Sequence, residues 1–295
     1  MKGLKTKLQL IYWPFIIVSL SFIVCYSLLS WVLFIKNDFF KVKEDVVHTW
    51  MPLGLAGIPV IIWLRSRINL LHFKRENAAF LYQLIAALAM AWPTVVALSY
   101  LETATGRLTR IGNINAFEKS PKTKYYAIDK YCVDNSNAGV LKTATVSGKY
   151  NQDLDFIIYA TLPIFENISD TTKGECSYWI GKKYFKTISN RVSEPEKDSE
   201  LKAFVKAVRA EIDTTNFERF VYLKKEGNTE DRDQFEKSTV KSELVHYKDP
   251  TIFTAINAPF ENRNDGKFGW IFKALWIGCL LFFILLIITP LQETV

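Results

Sequence analysis

The sequence predicts a membrane α-helical protein with four transmembrane helices and an inserted α+β soluble domain. The first supporting observation is four apolar stretches, each close to the roughly 20 residues that an α-helix needs to cross a bilayer. The second is the polar segment 102–267, which separates the third stretch from the fourth. The stretches run over about 8–35, 46–64, 79–101 and 268–289. We therefore expect a three-helix membrane region in residues 1–101, a soluble domain in 102–267, and a fourth helix with a short tail in 268–295.

The net charge of +7 is distributed unevenly along the chain. Residues 102–267 hold 26 Lys and Arg against 25 Asp and Glu, a balance of +1, so the other residues carry +6. The basic excess therefore flanks the apolar stretches, whereas nucleic-acid binding favours a basic patch on the soluble domain. We expect no nucleic-acid partner. The insert is long enough to bury a core of its own as one domain.

The positions of Lys and Arg predict the orientation in the membrane, because cytoplasmic segments carry an excess of both near helix ends. The N-terminal tail and the loop after the second stretch hold seven such residues, against three in the opposite loop, 36–45. The prediction is a bacterial inner-membrane protein with both termini in the cytoplasm and residues 102–267 in the periplasm. The first stretch exceeds the 7–15 residues of a signal-peptide core, so we interpret it as a retained helix.

Aromatic and basic side chains near the predicted helix ends are candidate membrane-interface anchors. Indole rings favour the headgroup level, and long basic side chains reach it from within a helix. The lipid bilayer is thus the first predicted partner. The candidate anchors are Trp13, Trp31, Trp50, Trp63, Trp270, Arg65, Arg67, Lys74 and Arg75.

The soluble segment predicts a mostly antiparallel sheet with one amphipathic helix. Residues 124–133 and 140–147 alternate apolar and polar side chains around a run of turn-forming residues, which favours a hairpin. Two longer strands are predicted over 154–162, ended by Pro163, and over 177–188, with a break at Gly181. Further strands are predicted over 217–223 and 251–258, and residues 227–233 are predicted to be a charged loop.

The helix is predicted to begin after Ser193, with Pro195 in its first turn and Glu196 three residues after the serine, as in a capping box. Apolar residues then recur at helical spacing, which predicts one stripe facing the core. The stripe consists of Leu201, Phe204, Val205, Val208 and Ile212.

Two of the four cysteines, Cys132 and Cys176, lie in the soluble segment. An oxidising periplasm would permit a disulfide between them, and two free buried thiols are the alternative. The three histidines fall in separate regions without metal-ligand spacing, and no phosphate-binding loop or catalytic serine motif is present. We therefore predict no cofactor and no metal site, and the sequence indicates no enzymatic activity.

Five runs of sequence lie at 61–68, 100–109, 123–126, 160–165 and 268–272. These runs resemble the long N-terminal extension of certain bacterial rhomboid-family proteins, and the resemblance covers nearly all of this chain. In that family the extension precedes a six-helix intramembrane serine protease with its serine in a G-x-S-G motif. This chain has no G-x-S-G, and Ser147-Gly148 lacks the preceding glycine, so no catalytic residue carries over.

Three functions compete on this pattern. The favoured one is a non-enzymatic binding or regulatory module, whose partner the resemblance implies to be a rhomboid-type protease or its substrate. The alternative is a small transporter or channel subunit that uses Pro59 and Pro93 as helix breaks, although no Asp, Glu, Arg or His lies deep in any stretch. The third is a hydrolase with an unrecognised site at Ser147.

Overall fold

The fold is described from a computed structural model that covers residues 2–36, 42–75, 77–167, 169 and 175–292. The chain divides into two compact units. The helical bundle comprises residues 1–105 and 261–295, and the sheet domain comprises residues 106–260. Part of the predicted loop 36–45 and the tail residues 293–295 lie outside the described residues.

Six helices and eight strands make up these units in the described ranges. The helices are α1 (Gly3–Ile35), α2 (Val46–Ile68), α3 (Ala78–Ala104), α4 (Glu194–Thr214), α5 (Glu230–Thr239) and α6 (Lys267–Ile288). The strands are β1 (Leu108–Asn113), β2 (Tyr125–Lys130), β3 (Cys132–Val133), β4 (Gly139–Ser147), β5 (Asp153–Phe165), β6 (Glu175–Ser189), β7 (Tyr222–Lys225) and β8 (Val245–Ile256).

The helical bundle consists of α1, α2, α3 and α6, which are the four helices long and apolar enough to cross a membrane. Their bounds follow the four predicted stretches within a few residues, because length and hydropathy are properties that each stretch carries locally. The bundle core includes stacked rings of Phe15 and Phe282, whose centroids are 4.2 Å apart. Large apolar side chains also cover the outside of these helices, for example Ile17, Ile61 and Ile288.

Helices α3 and α6 approach closely beside a proline. Pro93 lies within α3 and cannot donate a backbone hydrogen bond to the carbonyl of Ala89, four residues earlier. Gly278 of α6 packs at that position, where an added Cβ would lie 3.0 Å from both the Cβ and the carbonyl oxygen of Ala89. A small residue at 278 is therefore required for the two backbones to meet, as in other helix pairs that pack through small residues.

The two ends of the bundle bring different segments together. At one end the Lys7 Nζ donates to the carbonyl of Leu286 at 2.8 Å, and the backbone N–H of His72 donates to Pro290 at 2.8 Å. This end thus collects the start of α1, the α2–α3 loop and the end of α6. At the opposite end the imidazole Nδ1 of His48 lies 3.6 Å from the Glu102 carboxylate. The helices consequently alternate in direction along the chain.

The sheet domain is built on one mixed sheet in the order β1-β2-β7-β8-β6-β5-β3, with β4 also paired to β5. The pairs β1–β2 and β6–β8 are parallel, and the other described pairs are antiparallel. Helix α4 packs on one face through Val208 and Ile212, against Ile158, Ile180 and Phe253 among others. Helix α5 packs on the opposite face through Phe235, against Tyr159, Trp179 and Ile252.

The sheet differs from the prediction in its pairing and in its helices. The predicted hairpin of 124–133 and 140–147 does not form, because β2 pairs with β1 and β7 whereas β4 pairs with β5. Pro163 does not end β5, which continues to Phe165. The prediction of one helix is also wrong, since α5 occupies most of the predicted loop 227–233.

Three smaller details also differ. Strand β6 runs through Gly181 without a break. Glycine is required at this position by packing, because an added Cβ would lie 3.0 Å from the ring of Phe235. Ser193 does precede α4, but its side chain makes no capping hydrogen bond, so the predicted capping box is absent. The predicted strand 217–223 reduces to the short strand β7, which begins at Tyr222.

Candidate functional site in the sheet domain

A cleft opens in the sheet where the parallel strands β6 and β8 separate. Ile180 and Phe253 form the last pair between them. Beyond it β6 stays paired with β5, and β8 stays paired with β7. The resulting cavity has a volume of about 400 Å³ and is lined on its two sides by Gly181 to Lys183 and by Thr254 and Ala255, among others. Crevices at the carboxyl ends of parallel strands are common ligand sites in open sheets.

One side of the cleft holds a charged network around Asp231 of α5. The Lys183 Nζ lies 2.7 Å and 3.0 Å from its two carboxylate oxygens, and the Tyr159 hydroxyl donates to the same carboxylate at 2.8 Å. Burial raises the pKa of Tyr159, and the hydrogen bond to Asp231 adds to the effect. Partial burial lowers the pKa of Lys183, but the hydrogen bond and attraction of Asp231 outweigh it, and the net shift is upward. The tyrosine therefore stays neutral and the lysine charged near neutral pH.

The other polar groups of the cleft are also paired. The Thr254 hydroxyl donates a short hydrogen bond to Glu226, whose side chain is 10% exposed, and the Lys224 Nζ lies 3.5 Å from the same carboxylate. The Lys182 Nζ lies 2.5 Å from Glu211 of α4. Each ammonium thus faces a carboxylate, so the cleft is suited to binding a polar group by exchange of ion pairs. Lys183, whose pKa is raised, is not the lysine of lowered pKa that nucleophilic catalysis requires.

A second accessible feature is the edge of the sheet formed by β4. This nine-residue strand pairs with β5 from Gly139↔Thr161 to Ser147↔Asp153 and has no strand on its other side in the described ranges. Between β4 and α4 lies the β4–α4 groove, with a volume of about 550 Å³. Its lining is Lys142, Asp198, Leu201, Lys202, Val205, Lys206, Arg209, Ala210 and Asp213.

The two cysteines of the sheet domain are free thiols, with Cys132 half-buried and Cys176 buried. Cys132 of β3 pairs with Phe165 of β5, and the Sγ of Cys176 in β6 lies 3.9 Å from the carbonyl oxygen of Ile164 in β5. A disulfide between the two cysteines stays a prediction. Burial raises the pKa of Cys176 to about 11, so its thiol is protonated at neutral pH.

Ser147 is not activated as a nucleophile. It ends β4 beside Asp155, whose pKa is lowered by hydrogen bonds from Thr187 and then from Ser147 itself. A carboxylate with a lowered pKa is a weak base for the serine proton. The described part of the chain also holds no cluster of His, Cys, Asp and Glu that could bind a metal ion.

The predicted anchors lie in the helical bundle, where most of them point outward. Trp13, Trp50, Trp63 and Trp270 are each more than half exposed, and Trp31 is half-buried. Arg65, Lys74 and Arg75 are exposed, and the Arg67 guanidinium donates to the carbonyl of Leu10 at 2.9 Å. The exposed side chains can therefore contact a surrounding solvent or bilayer. Trp31 is half-buried, and Arg67 is engaged in its hydrogen bond within the bundle.

Sequence reasoning missed the residues of the cleft and of the β4–α4 groove. Lys183 and Asp231 are distant in sequence, and neither belongs to a motif. A usable signal existed for α5, since Thr229 is followed by Glu230, Asp231 and Asp233, the composition of a helix start. The Thr229 hydroxyl does cap this helix, accepting from the N–H of Arg232 at 3.1 Å.

Comparison with known proteins gives no relative for this chain. No protein-family model matches it, and neither a curated protein nor a solved structure matches it.

Proposed function

We propose that the chain is an integral membrane protein of the bacterial inner membrane whose sheet domain acts as a non-enzymatic binding module in the periplasm. The observation that carries the proposal is the outer surface of the helical bundle. Its four helices are long enough to cross a bilayer and are covered by exposed apolar side chains. Soluble proteins rarely expose contiguous apolar surface of this kind, whereas a bilayer covers it without cost.

The orientation rests on the ends of the bundle. The start of α1, the α2–α3 loop and the end of α6 meet at one end, which supports placing both termini on the same side. This end carries the predicted basic cluster of Arg65, Arg67, Lys74 and Arg75, and the positive-inside rule assigns it to the cytoplasm. The chain leaves the bundle after Thr105 and returns at Glu261, so residues between these points belong to the opposite, periplasmic side.

Binding is favoured over catalysis by the state of the polar groups. The lysines and carboxylates of the cleft are paired with one another, and Ser147 faces a carboxylate of lowered pKa. An open groove and an unpaired strand edge remain as the accessible features of the domain. The partner that we propose is a membrane protein, namely a rhomboid-type protease or its substrate, on the resemblance of the five sequence runs.

Labelling with a membrane-impermeant maleimide tests the location. A Lys149→Cys substitution in the exposed turn after β4, with the four native cysteines replaced by serine, should react in intact spheroplasts. The matched control, Lys74→Cys in the α2–α3 loop, should react only after lysis. The reverse pattern would contradict the proposed orientation.

Co-purification tests the partner. The full chain in mild detergent should retain a rhomboid-type protease when the two are co-expressed, and a chain lacking residues 106–260 should not. Equal retention by both chains would contradict a binding role for the sheet domain. Retention by neither chain would contradict a rhomboid-type protease as the partner.

A further inference from the structure

Strand β4 is an open edge suited to strand addition. Its nine residues form a regular antiparallel ladder with β5, and in the described part of the chain no backbone group outside the ladder bonds to it. Alternate N–H and C=O groups of such a strand point away from the sheet and can pair with another extended chain. Natural edges are commonly protected by prolines, bulges or several charges, whereas β4 has the sequence GVLKTATVS with a single lysine.

The β4–α4 groove lies directly beside this edge. The side chain of Ile158 in β5 points to the face of the sheet that α4 covers. Lys142 of β4 pairs with Ile158, so its side chain points to the same face. The groove therefore has Lys142 on one wall and α4 on the other, with Leu201, Val205 and Ala210 as apolar lining. An extended chain added to β4 would direct every second side chain into the groove.

The groove carries an excess of positive charge. Its lining holds four basic residues against two acidic ones, Asp198 and Asp213. The acidic side chains are engaged by Lys202 at 3.0 Å and by Arg209 at 3.2 Å. The excess of two positive charges therefore resides on Lys142 and Lys206, on opposite walls of the groove. Charge complementarity selects an occupant with acidic side chains.

We propose that β4 binds an extended acidic segment of a partner protein by strand addition, with its acidic and apolar side chains in the β4–α4 groove. This proposal rests on the proposed binding function and names the chemistry of its partner. Backbone hydrogen bonds to β4 supply affinity, and contacts of the groove with alternate side chains of the bound segment supply specificity. A second copy of this chain is a poorer occupant, because β4 paired with itself would bring two Lys142 side chains to one edge.

A fluorescent peptide tests the proposal with the full chain in detergent micelles. The probe is Val-Thr-Glu-Thr-Val-Thr-Glu-Thr-Val, which presents valine and glutamate on one face of a strand, and binding is followed by fluorescence anisotropy at low salt. The double variant Lys142→Glu/Lys206→Glu should bind at least tenfold more weakly than the unaltered chain. The matched control, Lys122→Glu/Lys237→Glu, changes the charge equally at exposed positions outside the groove and should stay within twofold.

A second peptide separates strand addition from simple charge attraction. Val-Thr-Glu-Pro-Pro-Thr-Glu-Thr-Val keeps the charge but lacks two adjacent N–H groups. Because neighbouring residues of a strand point their N–H groups to opposite sides, one proline must face β4 in either alignment. We expect at least tenfold weaker binding of this peptide.

Three outcomes would overturn the proposal: no saturable binding of the first peptide, equal loss in both double variants, or equal binding of the proline peptide. Dimers of the chain that strengthen when Lys142 and Lys206 are reversed would instead identify a second copy as the occupant. The assay in micelles does not depend on membrane orientation or on the protease, so its failure can be distinguished from failure of the proposed function.

Discussion

The helical bundle and the sheet domain place their side chains in opposite ways. The bundle exposes apolar residues along its length and concentrates polar contacts at its ends, such as the Lys7–Leu286 hydrogen bond. The sheet domain buries its aromatic residues, such as Trp179 and Phe253, and carries its charged pairs on the outside. The two units therefore place apolar side chains in opposite ways, with the change at the junctions near residues 105 and 261, as expected if the bundle lies in the bilayer that we propose. Mutations should therefore act on one unit and leave the other unchanged.

The largest expected effect is loss of an aromatic residue from the sheet core. Phe253 is fully buried and contacts the rings of Phe117 and Tyr126. Phe253→Ala should lower the free energy of unfolding of the sheet domain by about 3–5 kcal/mol, as measured by pulse proteolysis in urea and micelles. Phe185→Ala, on an exposed side chain of the same sheet, is the control and should cost less than about 1 kcal/mol. Similar losses for both variants would contradict the assignment of the core.

Alkaline pH should weaken the sheet domain. Burial raises the pKa of Cys176 from 9.0 to about 11. Between these values the unfolded chain loses the thiol proton while the folded chain keeps it, so the free energy of unfolding falls as pH rises and levels off above the folded pKa. The contribution of this group is about 3 kcal/mol.

Urea unfolding of the sheet domain from pH 8 to pH 11 measures that contribution. Cys176→Ala should remove part of the alkaline decline, whereas Cys25→Ala in α1 should leave it unchanged. The same decline in both variants would show that the buried thiol is not its source. Other buried groups would then account for it, such as Tyr131, whose pKa is raised by burial to about 12.

A smaller effect is expected in the bundle from crowding the α3–α6 contact. Gly278→Leu places side-chain atoms where an added Cβ already lies 3.0 Å from Ala89, and it should cost about 1–3 kcal/mol. Gly269→Leu lies in the same helix in open space and should change the thermal unfolding of the bundle in micelles far less. Equal shifts for the two variants would mean that helix propensity, and not the close contact, determines the result.

The smallest effect compares two helix starts within the sheet domain. Thr229 caps α5 through a hydrogen bond to the N–H of Arg232, whereas Ser193 precedes α4 without one. Thr229→Ala should therefore cost about 1 kcal/mol, and Ser193→Ala only a few tenths. The measurement is the urea midpoint of the sheet domain, and a larger loss at Ser193 would restore the capping box that the sequence predicts.

The elements that the sequence predicted well are those determined by local pattern. Each helix of the bundle carries its length and hydropathy within its own residues, and β5 and β6 are long apolar or alternating runs. Pairing was not predictable, since β2 lies between β1 and β7, and β7 is almost a hundred residues away along the chain. Helix α5 was missed because its polar first turn resembles a loop and Phe235 is the single large apolar residue that it buries.

The candidate sites were still less predictable than the fold. The cleft exists because β6 and β8 separate beyond Ile180 and Phe253, which depends on the order of strands in the sheet. The β4–α4 groove depends on which strand lies at the edge. Both are properties of tertiary structure, and the residues that line them, such as Lys142 and Lys206, have no distinctive pattern in sequence.

The insertion of the sheet domain between α3 and α6 has a consequence for biosynthesis. Helix α6 is the neighbour that packs against Ala89 of α3, yet residues 106–260 must be synthesised before it emerges. At 5–20 residues per second this interval is about 8 to 30 seconds. During that time the small-residue face of α3 has no α6 to cover it, so the bundle begins as a three-helix assembly. Its completion is coupled to translation of the domain that it carries.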